Sequence, residues 1–195
     1  MSFILLGILN SQVTAAAGGI LAYDFLTGSN GNGETQFAWT GLNSAYGADY
    51  DHLEIRMTLR MDTSGYADAR MFFSSTYNSG DTNYASWRLR GNGSSIQQTA
   101  TTGSFAEIPL GYNTEGTGTA GAVGCMRILI LDAFNTTKAK QIQSLNALNQ
   151  TNKYLNVVSG IYNNTGAIDS IGFRNSSVAT WNSICRFSLY GIKVA

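Results

Sequence analysis

Residues 53–62 alternate without exception between apolar and polar side chains: Leu53, Ile55, Met57, Leu59 and Met61 against Glu54, Arg56, Thr58, Arg60 and Asp62. A repeat of two residues is the period of a β-strand with one buried face. Residues 84–91 (YASWRLRG) alternate as well, with Trp87 and Leu89 on one side and Ser86, Arg88 and Arg90 on the other. The arginines of both runs are expected on outward faces. Residues 20–27 and 34–40 predict a pair of strands around the turn Ser29-Asn30-Gly31-Asn32-Gly33, and 69–76, 124–132, 153–162, 168–174 and 185–193 predict further strands. Segments 94–100 and 105–110 are weaker candidates. Between the runs stand Asn, Asp, Ser and Gly, which suit the backbone of turns. Only 136–149 (TTKAKQIQSLNALN) offers a helical alternative. Ile142, Leu145 and Leu148 have roughly helical spacing but Asn and Ser weaken it, so a strand with a loop and a short helix both stay open. About ten short strands with polar turns predict an all-β protein, an antiparallel β-sandwich of jelly-roll type, as a single domain over 20–195. The Gly-rich stretch 111–124 reads as a long, mobile loop inside it.

Composition narrows the function classes. Lys plus Arg is 12 and Asp plus Glu is 12, so the formal net charge is zero. Charged residues make up 12% of the chain, about half the usual ~25%. A balanced, sparse charge gives no footprint for nucleic acid or for an anionic membrane. Two cysteines are too few for a disulfide scaffold or a closed zinc site. Cys125 and Cys185 lie in apolar strands and read as buried free thiols, with a disulfide between them left open. Solubility falls to Ser, Thr, Asn and Gly, a surface suited to a protein packed among other copies.

The chain starts with an apolar run, Ser2 to Leu9 (SFILLGIL), followed by Asn10-Ser11-Gln12 and small residues from Val13 to Gly19. The run is far short of the ~20 residues that span a bilayer. An internal strand of the same domain and a secretory signal are the rival readings, and against the signal no Lys or Arg precedes the apolar residues. Residues 1–19 are read as an attachment arm in which Phe3, Ile4, Leu5, Leu6, Ile8 and Leu9 need a partner surface.

Candidate chemistry is thin. The single histidine, His52, stands beside Asp49 and Asp51, but there is no Gly-x-Ser-x-Gly elbow. Asp49, Asp51 and Glu54 are the carboxylates that a glycan-cleaving enzyme would use. The arginines around Glu54 instead suggest cross-strand ion pairs with Arg88 and Arg90. The turns 29–34 and 78–83 are oxygen-rich but hold one carboxylate each, which suits hairpins better than a calcium loop. No catalytic, cofactor-binding or metal-binding residue is expected. Glu54, Arg56, Arg60, Arg88 and Arg90 are expected to form a contact face for another subunit or a ligand. Trp39, Tyr46, Tyr50, Tyr77, Tyr84 and Tyr112, in or near turns, offer rings that could stack on sugars.

Three stretches carry a resemblance: the start Phe3-Ile4-Leu5-Leu6-Gly7-Ile8-Leu9-Asn10-Ser11-Gln12 with its Ala/Gly run, the segment Tyr50-Asp51-His52-Leu53-Glu54-Ile55-Arg56, and the ending Arg186-Phe187-Ser188-Leu189-Tyr190-Gly191-Ile192-Lys193. Together they resemble a loose group of small jelly-roll virion proteins of tailed bacteriophages. The resemblance implies a non-enzymatic building block located in the virion, a tail fibre or adhesin or a capsid decoration protein. Its partners would be other virion proteins and copies of itself, as a trimer. The alternative expectation is a lectin-like module that recognises host surface glycans.

Overall fold

The alternating run at 53–62 becomes an interior strand of the larger of two sheets. A computed structural model describes residues 20–29, 33–62, 67–112, 122–149, 153–176 and 179–194. The twelve strands among them exceed the expected ten or so: β1 (Ile20–Ser29), β2 (Gln36–Trp39), β3 (His52–Leu59), β4 (Asp68–Phe72), β5 (Tyr84–Gly91), β6 (Ile96–Phe105), β7 (Ile108–Tyr112), β8 (Gly124–Leu131), β9 (Lys140–Asn149), β10 (Lys153–Tyr162), β11 (Ile171–Asn175) and β12 (Arg186–Val194). Eight form one sheet in the order β1-β12-β3-β8-β9-β10-β5-β6, and four form a second, β2-β11-β4-β7. Every strand pair is antiparallel. The protein is an all-β sandwich.

Three expectations change. β1 and β2 do not form a hairpin: β1 pairs with β12 and β2 with β11, in different sheets. Residues 140–149 are strand throughout, joined to both β8 and β10, so the helical spacing there is coincidental. A five-residue helix, α1 (Leu42–Tyr46), was not anticipated. Gly41 opens it at φ 72°, a left-handed conformation that glycine adopts without steric cost, and buried Leu42 anchors it. The arm 1–19, with Phe3, Ile4, Leu5, Leu6, Ile8 and Leu9, lies outside the described residues, as do 113–121 of the Gly-rich stretch. Among the described residues no helix is long and apolar enough to cross a membrane.

Leu53, Ile55 and Leu59 of β3 point between the sheets and are fully buried. Opposite them, Phe37 of β2 and Phe173 of β11 meet Phe187 of β12, with ring centroids 4.3 and 5.7 Å apart. Trp181 closes the group edge-on against Phe187 at 5.4 Å. Such contacts add about 0.5–1.5 kcal/mol each beyond the area they bury. The small sheet therefore sits over the β12–β3 half of the large one, and its edge strand β7 also reaches β9, β10 and β5.

Candidate functional site

The large sheet changes its polarity pattern halfway across. On β3 apolar residues point inward and polar residues outward, and on β8 the inner residues are apolar while Arg127 stands outward with Cys125, Leu129 and Leu131. On β9, β10 and β5 apolar and polar side chains are shared between the faces, with Ile142, Leu148 and Val158 still inward. Lys140, Ser144, Asn146, Asn156 and Ser86 are buried on the inner side. Leu145, Leu155, Val157 and Trp87 face outward with 50, 53, 43 and 43% of their surface exposed. Register places these side chains in contact range: Val157 lies opposite Leu145 on β9 and Leu89 on β5, and Leu155 opposite Ala147. The outer face carries adjoining grooves of about 420, 520 and 430 Å³; the first two share Arg127 and Leu145, the last two Gln143 and Ser159. A contiguous apolar surface of this kind on a sheet marks a contact site.

The inner side of the same strands carries a polar network. Asn156 donates to Asn146 Oδ1 at 2.9 Å, and Asn146 donates to the carbonyls of Cys125 and Tyr112 at 3.3 and 3.4 Å. Gly111, at φ 133°, lets the backbone of β7 lie directly on Asn146, where a Cβ would meet Oδ1 at 2.7 Å. Lys140 gives its ammonium to the carbonyls of Asn135, Lys138 and Thr165, and its burial pushes the amine below the ordinary lysine range. Ser144 Oγ and Asn156 Oδ1 are left without a partner. Polar groups buried at such cost argue that the apolar side of these strands is wanted outside.

At the apolar face's flank stands an ion cluster. Glu54 on β3 is fully buried, yet it points outward and is covered by its partners. It accepts hydrogen bonds from Tyr23 Oη at 2.7 Å and Arg56 Nε at 2.8 Å, and from Arg127 of β8. Arg56 also donates to Tyr23 Oη at 2.6 Å, and its guanidinium lies 4.9 Å from the Tyr190 ring, itself stacked on Tyr23. Burial pushes the Glu54 carboxyl up, but the bonds from Arg127, Arg56 and Tyr23 outweigh it and hold the group below its ordinary value. Burial and the neighbouring Glu54 push the Tyr23 phenol strongly up, so it stays a donor. The cluster fixes β1, β12, β3 and β8 side by side.

The five expected contact residues therefore separate. Glu54 and Arg56 share the outward cluster, with Arg127 as the ion-pair partner in place of Arg88 and Arg90. Arg60 is buried and donates to the Ala122 carbonyl at 2.8 Å. Arg88 and Arg90 point inward, because Trp87 and Leu89 take the outer side of β5. Arg88 pairs with Asp68 of β4 at 2.8 Å, and Arg90 donates to Tyr112 and Gln97 and lies 5.6 Å from the Tyr154 ring.

Arg88 opens onto a polar cleft of about 220 Å³ between β5–β6 and β4–β7, lined by Asp68, Arg70, Ser86, Thr99, Thr101 and Glu107. Glu107 is nearly buried and binds both Arg70 and Arg174, and the Arg174 guanidinium lies 3.9 Å over the Tyr77 ring. Sequence reasoning missed Glu107 and Arg174, whose pairing needs the β4–β11 register.

The other candidates are structural. His52 Nδ1 accepts the Asp132 N–H at 2.9 Å, supporting that residue's positive φ of 53°. Asp51 accepts the Val194 N–H at 2.9 Å and ties down the end of β12, while Asp49 stands exposed in the preceding turn. Trp39 and Tyr84 belong to the core, and Tyr46, Tyr50 and Tyr77 pack against it, so none of these offers a free ring face. Cys125 is exposed on the outer face of β8, correcting the expectation of two buried thiols; only Cys185 is buried, and both are free. No group of three or more potential metal ligands occurs among the described residues. No family model, curated protein or solved structure matches the chain.

Proposed function

We propose that this chain is a non-enzymatic virion structural protein of jelly-roll type, an oligomeric fibre or decoration component attached to the particle through its N-terminal arm. The outward apolar face of β9, β10 and β5 carries the assembly part of this reading, because a free monomer has no use for leucines outside and asparagines inside. The virion part rests on the resemblance of residues 3–12, 50–56 and 186–193 to phage virion proteins. The jelly-roll part is supported by neighbours far apart in sequence, such as β12 beside β3 and β3 beside β8. Deleting residues 2–12 should abolish incorporation into particles while circular dichroism still reports the folded sandwich. Normal incorporation of that variant would remove the attachment reading.

A second reading, a host-glycan binding module, draws on the polar cleft. Hydroxyls of Ser86, Thr99 and Thr101 beside Asp68, Arg88 and Arg70 are groups that bind sugar hydroxyls. The purified protein should then bind immobilised glycans, with Arg88→Ala abolishing the signal; a glycan array without hits argues against it.

A further inference from the structure

We propose that the outward face of the large sheet from β3 to β6, with the uncharged strands β9, β10, β5 and β6 as its larger part, packs against the same face of a second copy of this chain, about a twofold axis. The inference deepens the assembly reading above and rests on it in taking this face as an assembly surface.

The charge pattern selects the partner. A twofold lays a patch upon itself, so any charge near the axis would meet its own kind. The outward positions of β9 (Gln141, Gln143, Leu145, Ala147), β10 (Leu155, Val157, Ser159, Ile161) and β5 (Ala85, Trp87, Leu89, Gly91) carry no charge. The nearest outward cation on these strands is Lys153, at the very start of β10. The exposed arginines Arg127 and Arg56 lie to one side, on β8 and β3. An axis running along the strands between β9 and β10 sends β8 of one copy over β5 of the other. Each Arg127 then approaches the second copy's Trp87 and Leu89 surface, where an indole face favours a cation, and the two arginine rims stay on opposite flanks.

The area also fits. Six strands from β3 to β6 at ~4.8 Å spacing, each about eight residues long at ~3.3 Å, give a footprint of roughly 750 Å². A standard interface takes about 800 Å² from each partner. The arm segment 2–9, laid out as one strand, would cover only about one strand's width of ~4.8 Å, far less than the four-strand apolar face. A threefold would need a second, different apolar patch to receive this one. The other exposed large apolar side chains among the described residues are Phe25, edge-on to the Tyr190 ring on the β1–β12 side of the sheet, and Val123, Ile184 and Val194, just before or at the end of a strand.

The test is sedimentation equilibrium on the full chain from about 1 to about 100 µM. The expected mass is twice the 20.9 kDa of one chain. Leu145→Lys with Val157→Lys should weaken the pair by at least about 100-fold, because each added ammonium would be buried beside an Arg127 guanidinium, like charge against like. Both side chains are exposed in the single chain, so its circular dichroism should not change. The chain lacking residues 2–12 should still pair. A wild-type monomer over the whole range, a trimer, a pair that the double lysine variant leaves intact, or a pair lost only with residues 2–12 would each overturn the inference. Incorporation into particles is read separately. A pair that never enters a particle leaves this inference standing and removes the virion reading, whereas an incorporated monomer does the reverse.

Discussion

Glu54→Gln removes one charge from the centre of the Tyr23–Arg56–Arg127 cluster with almost no change of shape. The loss can be worked from exposure. The Arg56 and Arg127 side chains are 50 and 61% exposed, so both guanidiniums return to water when the carboxylate goes. Each screened pair is then worth only about 0.5–1 kcal/mol. The amide adds a second cost, because its NH₂ must face a guanidinium, donor against donor, at about 1 kcal/mol. The total is about 2–3 kcal/mol, which at a urea slope near 2 kcal/mol/M moves the midpoint down by about 1 M. The electrostatic part depends on pH with a definite sign. The folded Glu54 carboxyl titrates below its ordinary value of 4.5. Its contribution is therefore complete above the unfolded value and disappears as pH falls through the lower folded value. Urea midpoints of both proteins should differ by about 1 M from pH ~7 down to ~5 and converge on further acidification. No difference at neutral pH would refute the account. A difference that persists unchanged in strong acid would assign the whole loss to the amide's fit.

Two further outcomes follow from the same geometry. Cys185 is buried, its Sγ accepts the Arg60 N–H and donates to the Arg60 carbonyl, and burial pushes its thiol up, so a thiol reagent at mildly alkaline pH should label Cys125 alone in the folded single chain, at dilutions below pairing, and both cysteines in denaturant. Gly191→Ala should cost about 1–3 kcal/mol by urea unfolding, since its Cβ would stand 2.5–2.8 Å from three carbons of the Tyr50 ring; Tyr50→Leu in the same chain should recover part of that loss, and strict additivity of the two would contradict the clash.

How much was legible depends on what alternation can say. It reports which residues share a face, and at 53–62 the ordinary guess about which face meets the core was right. At 84–91 the grouping of Trp87 with Leu89 was right and the side was wrong, because the outer face of β5 is the apolar one. No local pattern distinguishes a strand whose leucines enter the core from one whose leucines await a partner. The Gly124–Leu131 run hid a similar clue: Arg127 shares its side with Cys125, which places that thiol outward. The Glu54 partner could not be read locally, since Arg127 comes alongside Arg56 only through the β3–β8 register. The turn at 29–33 signalled a hairpin strongly, yet its flanking strands diverge into separate sheets, a choice made by partners 130 or more residues away.

The mixed half of the large sheet has a consequence for how the chain reaches its native state. Sliding β9 and β10 by one residue exchanges their faces, which would put Leu145, Leu155 and Val157 inside and Asn146 and Asn156 in water. The same slip would bring the buried Ile142, Leu148 and Val158 out and put Gln141, Gln143 and Ser159 inside, so apolar burial alone separates the two registers only weakly at this hairpin. The amide of Asn146 on the Cys125 and Tyr112 carbonyls and the capped ammonium of Lys140 oppose the slip. Whatever covers the leucines adds the rest of the bias. If a second copy covers that face as proposed, association adds to the same bias, and the yield of correctly folded chain should rise with protein concentration.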